Sequence, residues 1–282
     1  MSVKTRTITG LSFGVVMIVG TLATSISAAV LYALVGILCL WELSGLLVNQ
    51  DSKNVQLFRR AQALLIGMLP TAALLTMRFF PETHIPVPLC IAFLFLPYLT
   101  ELFTKGAKPF DYIGYIYLGF VYIGIPTALM ISVALDASGR FLIMASMLLI
   151  WANDVFAYFI GSYLGKNKIF PHISPNKTLE GTIGGFICAI LWGVVSYFLW
   201  YYLISYEIWQ WMVLGAVCSV FGIIGDLVAS LLKRSLNIKD TGTILPGHGG
   251  LIDRFDAFIF AFPFVVITVI YLFQDTRFNI PW

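Results

Sequence analysis

Nine apolar stretches, each near the length that crosses a bilayer, dominate the chain: residues 8–26, 28–48, 61–80, 85–103, 112–135, 141–163, 182–204, 208–231 and 253–273. A spanning helix takes about 20 apolar residues. Nine of them use about 180 of the 282 residues, leaving loops and no room for a separate soluble domain. Only 11% of the residues are charged, against about 25% in soluble domains, so a water-soluble globule could not cover its surface. Disorder, collagen and a four-cysteine disulfide scaffold are excluded by the same composition. The sequence therefore predicts an all-α polytopic membrane protein of about nine transmembrane helices, without internal repeats. Lys4 and Arg6 ahead of the first stretch, with Ser25-Ile26-Ser27-Ala28 behind it, have some features of a signal peptide. The run is long for a signal, and a retained first span fits the charge distribution better.

With nine spans, one side of the membrane receives Lys4, Arg6, Lys53, Arg59, Arg60, Lys105, Lys108, Lys166, Lys168, Lys177, Lys233, Arg234, Lys239 and Arg254, which is 14 of the 17 basic residues. The other side holds Arg78, Arg140 and Arg277. Positive charge stays inside, which predicts a cytoplasmic N-terminus, an external C-terminus and residence in the inner (cytoplasmic) membrane. Cys39, Cys90, Cys188 and Cys218 fall within spans, lack ligand spacing and read as small core residues.

Residues 1–140 are poor in polar groups and are expected to be scaffold, while 141–282 carry the chemistry. Glu42 and Glu101 lie in or near spans and are either functional, interfacial or paired to a base. Pro126 is expected to kink its helix. In the C-terminal half, Asn153 and Asp154 sit in mid-span, and a carboxylate there needs a cation, a donor or a proton. A loop then brings Ser174, Lys177 and Thr178 to the start of a helix. That arrangement suits either a plain helix cap or an anion site. Gly161 to Lys166 is not a phosphate-binding P-loop, because its spacing is one residue short and no Ser or Thr follows the lysine.

The eighth span carries Asp226 and Ser230 on one face, with Lys233 and Arg234 at its end. The loop after it, Lys239 to Gly250, holds Asp240, His248, Gly249 and Gly250 among four glycines and a proline. Such a loop follows a tight path with exposed N–H groups. Asp253 and Asp256, three apart with Arg254 between them, share a helical face at the opening of the last span. Three carboxylates, Asp226, Asp253 and Asp256, beside basic residues suggest a hard divalent cation gripping phosphates. A purely structural set of salt bridges is the other reading.

The run from Ser230 through Lys233-Arg234, Lys239-Asp240, Gly242, Leu245-Pro246 and His248-Gly249-Gly250 to Asp253-Arg254 and Asp256 resembles the signature of the phosphatidate cytidylyltransferases (CDP-diacylglycerol synthases), bacterial type. It matches without departure over 27 positions. Upstream, Asn176 stands where that family more often has a lysine. The resemblance implies that CTP and phosphatidate give CDP-diacylglycerol and pyrophosphate with Mg²⁺, as one or two divalent cations or one with a monovalent partner. It further implies a homodimer in the bilayer and no nucleic-acid partner. In that reading Asp226, Asp253 and Asp256 hold metal, and Lys233, Arg234, Lys239 and Arg254 bind phosphates. Lys177 and Thr178 hold the triphosphate or the lipid phosphate, and His248 is a donor or loop anchor. Asn153 and Asp154 line the cavity, and Ser174, Ser230, Asp240, Gly249 and Gly250 complete the substrate site. Alternatives are another CTP-dependent lipid enzyme, such as a polyprenol kinase or an archaeal-type CDP-lipid synthase, and more distantly an ion-coupled transporter.

Overall fold

The computed structural model describes residues 3–47, 53–83, 86–104, 109–244, 247 and 249–278. The described residues form α1 (Val3–Leu22), α2 (Ser25–Leu47), α3 (Lys53–Phe79), α4 (Pro86–Leu94), α5 (Leu96–Thr104), α6 (Pro109–Gly119), α7 (Ile125–Ala134), α8 (Gly139–Leu164), α9 (Leu179–Trp200), α10 (Ile208–Ser235) and α11 (Ile252–Ile267). A π-helical turn, Phe120–Gly124, joins α6 to α7, and another, Thr268–Leu272, extends α11. Among the described residues the only pairing of strand type is an isolated antiparallel bridge between Lys168 and Thr178.

Eight of these helical segments are long and apolar enough to cross a bilayer: Ser25–Leu46, Lys53–Phe79, Val87–Thr104, Pro109–Ala134, Gly139–Leu164, Leu179–Trp200, Ile208–Ser235 and Ile252–Leu272. They correspond to eight of the nine expected stretches. The remaining one, α1, is a 20-residue helix whose apolar part, Thr9–Leu22, is shorter, because polar and basic residues take up its first turns. The chain is an all-α polytopic membrane protein.

Three spans contain a break or a π turn, and in two of them a proline marks the place. The fourth stretch is two nine-residue helices, α4 and α5, meeting at Phe95, with Pro97 in the first turn of α5. There its missing N–H needs no partner. Pro126 occupies the same place in α7, so the expected kink takes the form of the π turn just before it.

Lipid is as apolar as leucine, so helices associate in it through close packing and internal polar contacts rather than through the hydrophobic effect. α8, α9, α10 and α11 pack successively on one another. Gly185 of α9 lies against α8, where a Cβ would stand 2.8 Å from both the Asn153 carbonyl oxygen and the Ala157 Cβ. Gly225 of α10 lies against α11, where a Cβ would stand 2.6 Å from the Phe260 Cβ and 2.8 Å from the Asp256 carbonyl oxygen. These two contacts draw the polar stretches of α8 and α11 close to the helices between them.

α1 packs on α2 and α8, while α2 and α11 both pack on α7. One core cluster passes through Met17, Tyr32, Leu40, Ile123, Leu142, Phe255 and Phe262. In α3, Arg59 makes a two-pronged pair with Glu101 of α5, at 3.0 and 2.7 Å, with the Tyr112 ring 4.5 Å from its guanidinium carbon. Glu101 is therefore a paired structural carboxylate. All four cysteines are free, with Cys39 and Cys218 fully buried. After α11 the chain is tied to the α9–α10 connection, where Tyr206 donates to Asp275 at 2.7 Å and Arg277 pairs with Asp275 at 2.6 Å.

Candidate active site

Asn153 is 1% exposed in the middle of α8, where an unsatisfied amide would be costly. Ser219 of α10 donates to its Oδ1 at 2.6 Å, and its Nδ2 donates to Asp154 Oδ1 at 3.1 Å. The amide therefore links α10 to the neighbouring carboxylate and orients it.

The segment between α8 and α9 folds back as a tight loop. Glu180, in the first turn of α9, accepts from the backbone N–H groups of Lys166 and Asn167 at 3.0 and 3.2 Å, and from Asn167 Nδ2 at 2.8 Å. Thr178 caps α9, its Oγ1 accepting from Gly181 N at 3.2 Å. The cap fixes the preceding residue, Lys177, whose Nζ lies 2.5 Å from Asp226 Oδ2 on α10.

Asp253, in the first turn of α11, is held by four donors. Lys233 Nζ at the end of α10 is 2.7 Å from its Oδ1. Its Oδ2 accepts from Thr241 N at 2.8 Å, Thr241 Oγ1 at 3.0 Å and Gly250 N at 3.1 Å. Gly249 has φ +82°, and a Cβ there would stand 3.2 Å from Asp253 Oδ2. A glycine satisfies both the left-handed backbone and the close approach. Asp256, one turn further, is buried and accepts from Ala257 N at 2.8 Å. Asp226, Lys233 and Asp253 are among the charges close to it.

Two cavities meet these groups. One, of about 450 Å³, is lined by Asn153, Asp154, Lys168, Asn176, Lys177, Thr178 and Asp226, together with small and apolar residues of α8 to α10. The other, of about 360 Å³, is lined by Asp154, Asp253, Arg254 and Asp256, with Gly10, Phe13 and Gly14 of α1 opposite. Asp154 belongs to both.

Lys233, Gly249 and Gly250 reach the second cavity through their contacts with Asp253. Like these three, five further expected residues line neither cavity: Ser174, Ser230, Arg234, Lys239 and Asp240. Ser174 lies in the turn before Lys177, accepting from Lys177 N at 3.3 Å. Arg234 instead braces the Ile173 and Ile238 carbonyl oxygens, at 3.4 Å each. Lys239 and Asp240 are exposed, and His248 lies outside the described residues. The sequence alone does not single out Lys168, Ser219 or Thr241 and leaves Glu42 undecided. Thr241 was inside the glycine-rich signature, whereas Ser219 had no signal beyond being a polar residue within an apolar helix.

Lysines paired to carboxylates beside a cavity form a site in which charge is balanced and can be rearranged around phosphates. Among the described residues no three His, Cys, Asp or Glu side chains converge tightly enough to hold a metal alone. Mg²⁺ in phosphate chemistry takes one or two carboxylates and fills its other positions with phosphate oxygens and water. The hard oxygens of Asp226, Asp253 and Asp256 fit such a shared ion rather than a protein-only cage.

The profile of the Cytidylyltransferase family matches residues 4–272. The phosphatidate cytidylyltransferase of Bacillus subtilis (strain 168) is 34% identical over 269 residues, covering 94% of this chain and 97% of that protein. The phosphatidate cytidylyltransferase of Staphylococcus haemolyticus (strain JCSC1435) is 36% identical over 210 residues, covering 74% and 77%. That of Staphylococcus aureus (strain COL) is 42% identical over 136 residues, covering 48% and 51%. With its whole helical core inside the match, the chain belongs to the cytidylyltransferase family.

Proposed function

We propose that this chain is a phosphatidate cytidylyltransferase. A phosphate oxygen of phosphatidate attacks the α-phosphorus of CTP, the bond to the β-phosphate oxygen breaks, and pyrophosphate leaves CDP-diacylglycerol in the bilayer. The observation that carries this reading is the pair of cavities that share Asp154 on one wall, each flanked by a lysine–carboxylate pair. Two anionic substrates need two adjacent basic compartments, and attack of one anion on another depends on charge neutralisation and positioning.

Lys168 and Lys177 neutralise phosphate charge in the first cavity, with Lys233 and Arg254 doing so at the second. Asp226, Asp253 and Asp256 would hold Mg²⁺, which would supply Lewis-acid stabilisation when bound. Asn153 keeps Asp154 turned into the shared wall. No general base is required, since the attacking phosphate is already ionised near neutral pH. The cavities are built mainly by residues after 140, with α1 adding one wall. The enzyme works as a homodimer in the inner membrane, with its N-terminus and the Gly-rich loop on the cytoplasmic side, as the basic residues favour.

Transfer of label from CTP into a chloroform-soluble lipid tests the reading. Asp253→Asn should lower turnover about 10²–10³-fold while the protein keeps its size-exclusion profile. Lys53→Ala, exposed and remote, should stay near the native rate. Substantial activity in Asp253→Asn would overturn the assignment.

A further inference from the structure

Glu42 lies on α2, about 200 residues away in sequence from the loop it touches, and is 6% exposed. Its Oε2 accepts from Ile252 N at 2.9 Å and contacts the Thr241 hydroxyl at 3.1 Å. That hydroxyl is also 3.0 Å from Asp253 Oδ2. The other oxygen, Oε1, is buried against Gly242 and Gly250, where a Cβ on Gly250 would stand 2.5 Å away. Among the described residues Oε1 has no hydrogen-bond partner, and no basic group lies within ion-pair distance of Glu42.

A carboxyl group placed this way is costly in an apolar bundle, and packing alone would be served better by leucine. Its contacts fall on both ends of the glycine-rich loop, Thr241 where the loop begins and Ile252 where α11 takes over. The loop's many glycines leave its path underdetermined by side-chain packing, so an external clip is needed to select one path.

We propose that Glu42 is a positioning residue for the transfer reaction: it clips the two ends of the loop together and so sets, through Thr241 and Gly250, the direction in which Asp253 presents its carboxylate. This rests on the assignment of Asp253 to the reacting site. Glu42 touches no reacting atom; it acts through Thr241 and the loop backbone.

The test compares Glu42→Ala, Glu42→Gln, Thr241→Val and Thr241→Ser in the purified full-length protein, with CTP and phosphatidate at varied Mg²⁺. Glu42→Ala and Thr241→Val should each lower kcat about 10–100-fold and raise the half-saturating Mg²⁺ concentration, while KM for phosphatidate moves little. Glu42→Gln should recover most of the loss, since an amide oxygen placed where Oε2 lies can accept from both Ile252 N and the Thr241 hydroxyl. Thr241→Ser should recover likewise. The double variant should lose little more than the worse single one, because both break the same link. Should Glu42→Ala fail to fold, the Thr241→Val and Thr241→Ser pair decides. The proposal is overturned if Glu42→Ala and Thr241→Val both stay within about twofold of native kcat, or if losses track only the folded fraction with the Mg²⁺ response unchanged. Asp253→Asn separates the two layers: if it is active, the site reading fails, and if it is inactive while the Glu42 and Thr241 variants are normal, this inference alone fails.

Discussion

At the residue scale, the polar groups within the helices are mostly held by named partners, and the partner decides the role. Asn153 spends its oxygen on Ser219 and its amide hydrogens on Asp154. Ser219→Ala should therefore lower kcat less than Asn153→Ala, because it leaves one buried oxygen unpaired at about 1–3 kcal/mol without removing the link to Asp154. A double variant should be no worse than Asn153→Ala, and steady-state kinetics with thermal unfolding in detergent checks both. Asp226, Asp253 and Asp256 were legible as a cluster because carboxylates in apolar helices are rare. Their cation partners were legible only in part: Lys233 is on the same helix as Asp226 but pairs with Asp253, while Asp226 takes Lys177 from the loop before α9. Which lysine serves which carboxylate depends on helix rotation and loop path, and residue spacing encodes neither.

At the element scale, apolar length located the helices because the bilayer fixes that length, and Pro126 pointed to the interruption before α7, whereas the break at Phe95 and the π turn after α11 carried no such expectation. The pairing of helices was hidden, since it depends on where a backbone can approach closely. Gly225→Val should push α10 off α11 at Phe260 and the Asp256 carbonyl, destabilising the fold and abolishing activity together, measured as loss of the monodisperse species in detergent. The chain after α11 gives a contrasting case outside the spans. Burial pushes the Asp275 carboxyl up, but hydrogen bonds from Arg277 and Tyr206 outweigh it and hold the group below the usual carboxylate range. A depressed carboxyl contributes stability above its unfolded value, near pH 4, and that contribution disappears as pH falls through its folded value. Asp275→Asn should thus lower Tm by about 2–4 °C at pH 7. The gap from native should narrow below about pH 4, and activity at neutral pH should be close to native.

At the scale of the whole molecule, the distribution of basic residues predicts which end faces which compartment. Single cysteines at exposed positions test it: Ser235→Cys, at the end of α10, should react with a membrane-impermeant maleimide only after permeabilisation, and Thr276→Cys should react in intact spheroplasts. The reverse pattern would invert the orientation. Contacts made across the fold join residues 1–140 to the later half of the chain. The carboxyl that grips the glycine-rich loop comes from the polar-poor half, and α1 walls the second cavity. Neither contact leaves a local trace in the sequence, because each is made across the fold.

The α1 wall has its own consequence. Gly14 borders the second cavity, and a Cβ added there meets nothing within 4 Å. Most glycines in this bundle are fixed by what presses on them, yet this one faces empty space. Under the proposed function, Gly14→Ala should narrow this cavity and shift the preference among phosphatidates of different chain length, with the monodisperse fraction in detergent unchanged. Cavity width and bundle packing are thus separable at this position.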